Sequence, residues 1–454
     1  MYAELERRMK SAAAHVYGSA PGNSVGILFP NSLHFAPYIL GALWAGKTVA
    51  VMPTLAPPPL LRFMFAEARL ATVFTSEELA PRLAEAGVPH VAVDETYPSA
   101  TLDLQPRQDE AAILLYTSGT TGRPKTVALS ETNILSNIEG LRAATGFDDR
   151  QVMLAILPLF HAYGLTVTIL LPLTAGSRVV ILDRFVPRTV LQTIERERIT
   201  TLVAVPSHYR LLAMDSTECD PSSLWLCIAG AERLPDTTER EFTARFRHPV
   251  LPGYGATEVS PVISLNIPET NRPASVGKPL PNLKVTIRDD NETICPLGEI
   301  GEVCVEGPSV MLGYFGDPEG TARKIRNGIF HTGDKGFFDR EGYLYLSGRA
   351  DEMVKISGVK VYPVEIENAL EQIDGVEEVA VVALVDQKGG WRLHAFVQRK
   401  RGVHFDEASL RAACRDVLEP QKIPRTFTFV DSLPRTITGK TDKRSLATTA
   451  VPPQ

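Results

Sequence analysis

The chain has 454 residues, 44% of them apolar and 22% charged, with a net charge of −6. That length exceeds what one hydrophobic core usually serves, so two or three domains are expected. The composition is that of a globular protein, and the acidic balance excludes a general pull toward nucleic acid or anionic lipid.

Five cysteines, Cys219, Cys227, Cys295, Cys304 and Cys414, are scattered without a C-x-x-C pair. This argues against a zinc site or disulfide framework and fits a reducing compartment. The opening MYAELERRMK is charged and helix-like rather than signal-like, and the most apolar run, 166–173, is too short to span a bilayer. A cytoplasmic protein without a membrane span is expected.

Leu5, Met9, Ala12, Ala13 and Val16 recur at helical spacing and predict an amphipathic first helix. A buried strand is predicted at 25–29. A helix capped by Asn31 or Ser32 then runs to about 45, where Gly46 stops it. A second buried strand at 48–52 ends at Pro53. Further strands are predicted at 71–76, 111–116, 200–205, 224–229 and 250–253, an alternation with helices that implies parallel α/β layers. From about 282 the pattern changes. Alternating segments at 283–288, 301–306 and 342–347, separated by turn residues, predict a small antiparallel unit. The rest reads as a compact α+β pattern, with helices at 363–373 and 407–418 and strands at 379–384 and 394–398. The domain boundary is placed at 349–351, giving domains 1–350 and 351–454.

The segment Tyr116-Thr-Ser-Gly-Thr-Thr-Gly-Arg-Pro-Lys125 follows an apolar strand and crowds hydroxyls, glycines and a lysine together. Glycines let backbone N–H groups approach phosphate oxygens, hydroxyls add donors, and lysine adds charge. It is not a Walker A loop, because Pro124 precedes Lys125; Gly439-Lys440-Thr441 fails the same test, with Pro434 where the first glycine should stand.

Further motifs follow in order: Pro158-Leu-Phe-His161, Gly230-Ala-Glu232, Gly253-Tyr-Gly-Ala-Thr-Glu258, His331-Thr-Gly-Asp334, Gly348-Arg-Ala-Asp351 and Pro434-Arg-Thr-Ile-Thr-Gly-Lys440. Over nearly its whole length the chain resembles the adenylate-forming superfamily. That superfamily comprises acyl-CoA synthetases, acyl-carrier-protein synthetases, peptide-synthetase adenylation domains and beetle luciferases. The resemblance implies a large N-terminal domain of layered α/β sheets with a small β subdomain, plus a small mobile α+β C-terminal domain. It also implies the activity: a carboxylate attacks the α-phosphate of ATP, pyrophosphate leaves, and the acyl group passes to a phosphopantetheine thiol.

The same resemblance assigns roles. Thr117, Ser118, Gly119, Thr120, Thr121, Gly122 and Lys125 form the phosphate loop. Glu258 holds Mg²⁺, a hard ion suited to carboxylate oxygen, and Thr257 meets the α-phosphate. Tyr254, with Gly255 beside it, stacks on adenine against the Gly230, Ala231 and Glu232 backbone. Asp334 takes the ribose hydroxyls, and Arg349 the ribose or α-phosphate. His161 belongs to the acyl-side catalytic set, and Lys440 bridges the carboxylate and the α-phosphate. Asp351 is the family's hinge. Gly358, in Lys355-Ile-Ser-Gly358, leaves room for the pantetheine arm. Thr126 and Glu131-Thr-Asn133 depart from the family's usual glycine and His-x-Asn.

Family members that take amino acids place an acid just after an aromatic near this point; this chain has none in 158–165, so the resemblance disfavours an α-amino acid and leaves a fatty or aromatic acid. His208 adds the option of a polar acyl group. Residues 229–235 and 253–266 most resemble the synthetase part of bacterial acyl-carrier-protein synthetases that take long-chain fatty acids, so an acyl carrier protein is expected as thiol source, with free CoA as the alternative. Residues 351–454 balance their acidic and basic charges, and the basic clusters 399–401 and 422–425 offer docking points for an acidic carrier. A non-catalytic adenylate binder and a luciferase-like oxygenase are the remaining readings.

Overall fold

Short β-branched runs alternating with helices build two large sheets in the computed structural model. It describes residues 2–93, 110–117, 124–350, 352–356, 359–385, 391–400, 402–435 and 441–450. The first sheet has seven strands in the order Gly313–Tyr314, Lys125–Leu129, Ile113–Thr117, Thr48–Val51, Ser24–Leu28, Val73–Ser76, His90–Val93. From Ile113–Thr117 to His90–Val93 the strands run parallel. Lys125–Leu129 turns back antiparallel, and Gly313–Tyr314 pairs with it antiparallel at the edge. The second sheet, also seven-stranded, runs Lys278–Pro279, Val262–Leu265, Leu251–Gly255, Leu226–Ala229, Thr201–Ala204, Val152–Ala155, Arg178–Ile181. Its strands from Leu251–Gly255 onward are parallel. These sheets are apolar on both faces, as continuous β-branched runs require.

Packing divides the chain into a larger unit, Met1–Val285 with Val305–His331, and a smaller one, Thr286–Cys304 with Thr332–Gln454. The larger unit holds both seven-stranded sheets. The smaller holds a hairpin of Val354–Ile356 with Val359–Val361, and a three-stranded sheet of Val376–Val385, Trp391–Arg399 and Thr426–Val430. Helices Pro363–Leu370 and Glu407–Val417 accompany that sheet, and its core is Val361, Ile366, Leu370, Val381, Val397 and Leu410. The architecture is therefore α/β, with a large N-terminal part of layered sheets and a small C-terminal part. The boundary expected at 349–351 falls within the smaller unit as packing divides the chain, and the division into domains 1–350 and 351–454 stands as a proposal.

One local expectation needs correction. The helix Phe35–Trp44 starts after His34 and has no side-chain cap. Asn31 instead donates from Nδ2 to Leu157 O (2.9 Å) and Leu182 O (3.3 Å), and its Oδ1 accepts from Leu159 N (3.1 Å). A side chain expected to cap a helix thus pins the loop that begins at Pro158. The apolar run at 166–173 lies largely within a π-helix, Tyr163–Leu170, every residue of which is buried. Its hydrophobicity serves the core. Among the described residues no helix is long and apolar enough to cross a membrane.

Candidate functional site

In the larger unit, candidate residues gather where parallel strands end, the usual place for ligands in open α/β sheets. Gly230 follows the strand Leu226–Ala229 directly, and its N–H donates to Ala204 O at 3.2 Å. A Cβ on Gly230 would lie 2.9 Å from the Tyr163 ring, so only glycine lets this turn close over that buried aromatic. The Tyr163 hydroxyl reaches Ile228 O at 3.4 Å, and burial raises its pKa. Ala231, next in line, has φ +73° and is exposed.

Tyr254 and Gly255 end the strand Leu251–Gly255, with a register shift between them. At Gly255 a Cβ would meet Pro261 O at 2.2 Å, which forces the backbone-close turn into Thr257–Val259. That turn is clamped from beneath. Fully buried Asn137 donates to Val259 O (3.0 Å) and Val262 O (2.8 Å), and accepts from Val262 N (3.2 Å). Ser260 Oγ donates to Ser309 O at 2.9 Å. Such a satisfied buried network rigidifies what it holds. Thr257 and Glu258 stay half-buried on top of it.

Glu258 is held twice. Met311 N donates to its backbone carbonyl at 2.8 Å, and the Tyr314 hydroxyl donates to its Oε1 at 2.8 Å. Its Oε2 has no hydrogen-bond partner among the described residues. A hard carboxylate oxygen of this kind fits Mg²⁺. Lys125 Nζ stands 4.5 Å from the centroid of the same Tyr314 ring. Thr117, on the neighbouring strand, donates to Lys125 O at 3.5 Å. Ser118, Gly119, Thr120, Thr121 and Gly122 lie outside the described residues.

The two departures at the phosphate loop have structural accounts. Thr126 is buried, and its hydroxyl donates to Glu67 Oε2 at 2.7 Å; burial raises the Glu67 carboxyl pKa against that bond. Asn133 forms a capping box with Ser130 at the start of helix Glu131–Thr145 and donates to Pro308 O at 2.8 Å.

In the segment that begins at Pro158, Tyr163 N donates to His161 Nδ1 at 3.2 Å. A backbone N–H can only donate, so Nδ1 accepts and the imidazole proton of the neutral ring sits on Nε2. His208 stacks flat on Phe185, with ring centroids 3.8 Å apart and planes at 4°. Its Nδ1 is buried without a partner, and burial pushes its pKa down to about 4. The folded pKa is therefore below the unfolded value, and unfolding takes up a proton between about pH 6.5 and 4. Stability is expected to fall as pH drops through that window, by up to about 1.4 kcal/mol per pH unit from this group. His208→Phe should flatten that slope in urea unfolding, and an unchanged slope would remove the assignment.

In the smaller unit, Asp334 and Arg349 face each other across an antiparallel pair, with Arg349 Nη1 3.2 Å from Asp334 Oδ1. Asp334 N donates to Thr332 Oγ1 at 3.0 Å, and Gly333 N donates to Glu302 Oε1 at 2.9 Å. The two predicted ribose-side residues are thus brought together, both half-buried. Asp351, Gly358 and Lys440 lie outside the described residues.

Sequence reasoning missed Asn137, Tyr314 and the pair Glu367–Lys443. None carries a motif signal, since each acts through a tertiary contact. The basic clusters also read differently in three dimensions. The Arg399 guanidinium lies 3.6 Å over the Phe429 ring and 5.4 Å from that of Phe405. Lys422 pairs with Glu365 at 3.0 Å and Glu419 at 3.7 Å. Each of these two cations thus has a partner within the smaller unit.

A layered α/β unit bearing a Gly/Thr-rich phosphate segment, a positioned carboxylate and an adjacent aromatic defines a nucleotide-activating enzyme class. The chain belongs to the AMP-binding enzyme family, whose model matches residues 1–315, and the AMP-binding enzyme C-terminal domain matches residues 365–440. It is 35% identical over 347 residues to a long-chain-fatty-acid–CoA ligase of Bacillus subtilis; the match covers 75% of this chain and 62% of that ligase. It is 34% identical over 456 residues to a sulfoacetate–CoA ligase of Cupriavidus necator, covering 96% of this chain and 89% of that one. ATP-bound MatB from Rhodopseudomonas palustris superposes with TM-score 0.91 at 30% identity, covering 99% and 93% of the two chains.

Proposed function

We infer that the chain is an AMP-forming acid–CoA ligase acting on a fatty or aromatic carboxylate. In the first half-reaction the carboxylate oxygen attacks the α-phosphorus of ATP and pyrophosphate departs, giving the acyl-adenylate. In the second the CoA thiol, losing its proton, attacks the acyl carbon and AMP departs. The observation that carries this reading is Glu258, fixed by Met311 and Tyr314 beside Lys125 on the segment that follows the phosphate loop. Adenylation separates charge on the nucleophile and the leaving group, and preorganised charge partners lower that barrier.

In this reading Glu258 holds Mg²⁺ and Thr257 the α-phosphate. Tyr254 and the Gly230–Glu232 backbone take adenine, while Asp334 and Arg349 take ribose and phosphate oxygens. Lys440 neutralises charge during adenylation, and Gly358 serves the thiol arm. The metal supplies charge neutralisation for the triphosphate.

The thiol source is where the reading moves away from the first expectation. The carrier-protein expectation rests on the resemblance of 229–235 and 253–266 to acyl-carrier-protein synthetases and on charge. What favours free CoA instead is the likeness over nearly the whole chain to a ligase named for CoA, the sulfoacetate–CoA ligase.

A panel of fatty, aromatic and short polar carboxylic acids, assayed by pyrophosphate release, should identify the acid. With that acid, thioester formation should be faster with CoA than with a phosphopantetheinylated carrier protein at equal concentration. It should also change little when Arg399 and Lys400 are reversed in charge. Faster carrier acylation that falls with added salt would restore the carrier-protein reading. No pyrophosphate release with any acid would favour a non-catalytic adenylate binder.

A further inference from the structure

Tyr314 lies outside every motif that led to the reading above, and its side chain is buried. It sits on the short strand Gly313–Tyr314, directly opposite Val127 of the strand that Lys125 begins. Its N–H donates to Thr321 Oγ1 at 2.8 Å, while Leu312 N donates to Ala128 O at 3.0 Å and Phe315 N to Thr126 O at 2.7 Å. The backbone on both sides is therefore tied to the strand that leaves the phosphate loop. From this anchored position one side chain reaches two groups. Its hydroxyl donates to Glu258 Oε1 at 2.8 Å, and its ring face lies 4.5 Å from Lys125 Nζ.

We propose that Tyr314 is a positioning residue that sets Glu258 and Lys125 together for the metal–triphosphate end of the nucleotide. The inference rests on the reading of Glu258 as the Mg²⁺ carboxylate. A phenol bonded to an ionised carboxylate makes a stronger bond than one to a neutral acceptor, and it restricts the acid's rotamers. With Oε1 engaged, Oε2 is the oxygen left for a cation. The ring face meanwhile attracts the Lys125 ammonium, which limits where that charge can wander before nucleotide arrives. The two functions are chemically separable. The hydroxyl serves Glu258, and the ring serves Lys125.

That separation gives the test. ATP binding to the full-length protein is measured by calorimetry, once with Mg²⁺ and once with EDTA, alongside thermal unfolding. Tyr314→Phe keeps the ring and removes the hydroxyl. It should weaken Mg²⁺-dependent ATP binding about tenfold or more, the scale of a bond to a charged group, and leave metal-free binding within about twofold. Tyr314→Leu should weaken both. Glu258→Gln serves as the reference and should abolish most of the gain from Mg²⁺. The proposal is overturned if Tyr314→Phe binds Mg²⁺–ATP like the wild type while Glu258→Gln does not. It is equally overturned if Tyr314→Phe lowers the unfolding temperature and weakens metal-free binding to the same degree, since that is the pattern of packing alone. Should Glu258→Gln retain the full Mg²⁺ effect, the metal assignment itself falls and takes the inference with it. Tyr314→Phe decides the matter even if the leucine variant fails to fold.

Discussion

Lys440→Ala is expected to slow acyl-adenylate formation by about 100-fold or more, the scale seen when a preorganised charge partner is removed. Thioester formation from preformed acyl-adenylate should stay within about twofold of the wild type. The argument combines the motif with its setting. A lysine is a compact charge on a flexible stem, suited to following charge as it develops between a carboxylate and a phosphate. The chain on either side of residues 436–440 is firmly tied. Arg435 and Thr441 form a β-bridge, Asp442 N donates to Pro434 O at 2.8 Å, and Arg435 Nη1 donates to Thr441 Oγ1 at 2.9 Å. Arg435 Nη2 also reaches both Glu378 oxygens at 2.7 Å. None of these anchors uses the Lys440 side chain, so truncating it should leave the fold intact. The two half-reactions are measured separately, by pyrophosphate exchange and by thioester formation from synthetic acyl-adenylate. Equal loss in both would refute a role confined to adenylation.

The second large effect is on stability. Glu367 is buried at 9% exposure in the smaller unit, where its Oε1 accepts from Val381 N at 2.6 Å and lies 2.9 Å from Lys443 Nζ. Lys443 also lies 3.5 Å from Glu352. Burial raises the Glu367 carboxyl pKa against the pull of Lys443. Burial also works against the Lys443 ammonium, yet the two carboxylates outweigh it and its pKa is raised. The donor geometry, with a backbone N–H and an ammonium both on Oε1, favours the charged pair. Removing one partner leaves a buried charge uncompensated. Glu367→Ala should therefore cost about 3 kcal/mol in urea unfolding, and Lys443→Met somewhat less because that side chain is partly exposed. The double variant Glu367→Leu with Lys443→Met should recover much of the loss, short of the Val381 N–H left without its acceptor. Single variants within 0.5 kcal/mol of the wild type, the ordinary range for surface changes, would show that the pair carries no such weight.

Much of the architecture was legible in the residues. Continuous β-branched runs such as 48–52 can only be strands buried on both faces, and their alternation with helices requires parallel layers. The motifs from Tyr116 to Lys440 pointed to nucleotide chemistry through their joint resemblance to the adenylate-forming superfamily, whose glycines, hydroxyls and carboxylates suit phosphate and metal.

Other features depended on contacts between residues far apart in the chain. Asn31 carries an N-cap signal, yet its side chain bonds to residues beyond 150, because the three-dimensional partner outcompetes the local one. The run at 166–173 is apolar all round, so it has no amphipathic period to reveal the π-helix Tyr163–Leu170 that buries it. Arg399 and Lys422 read as surface charge until Phe429 and Glu365 are seen beside them. Tyr314 and Asn137 matter because two strands and a loop meet there, and no spacing along the chain encodes such a meeting. The sequence by itself thus determined the layered α/β class, which follows from local period, and the nucleotide chemistry, which follows from motifs that resemble a known family. Only the tertiary structure decided which side chains hold Glu258 in place and which charges remain available, since both depend on partners that folding alone brings within hydrogen-bond reach.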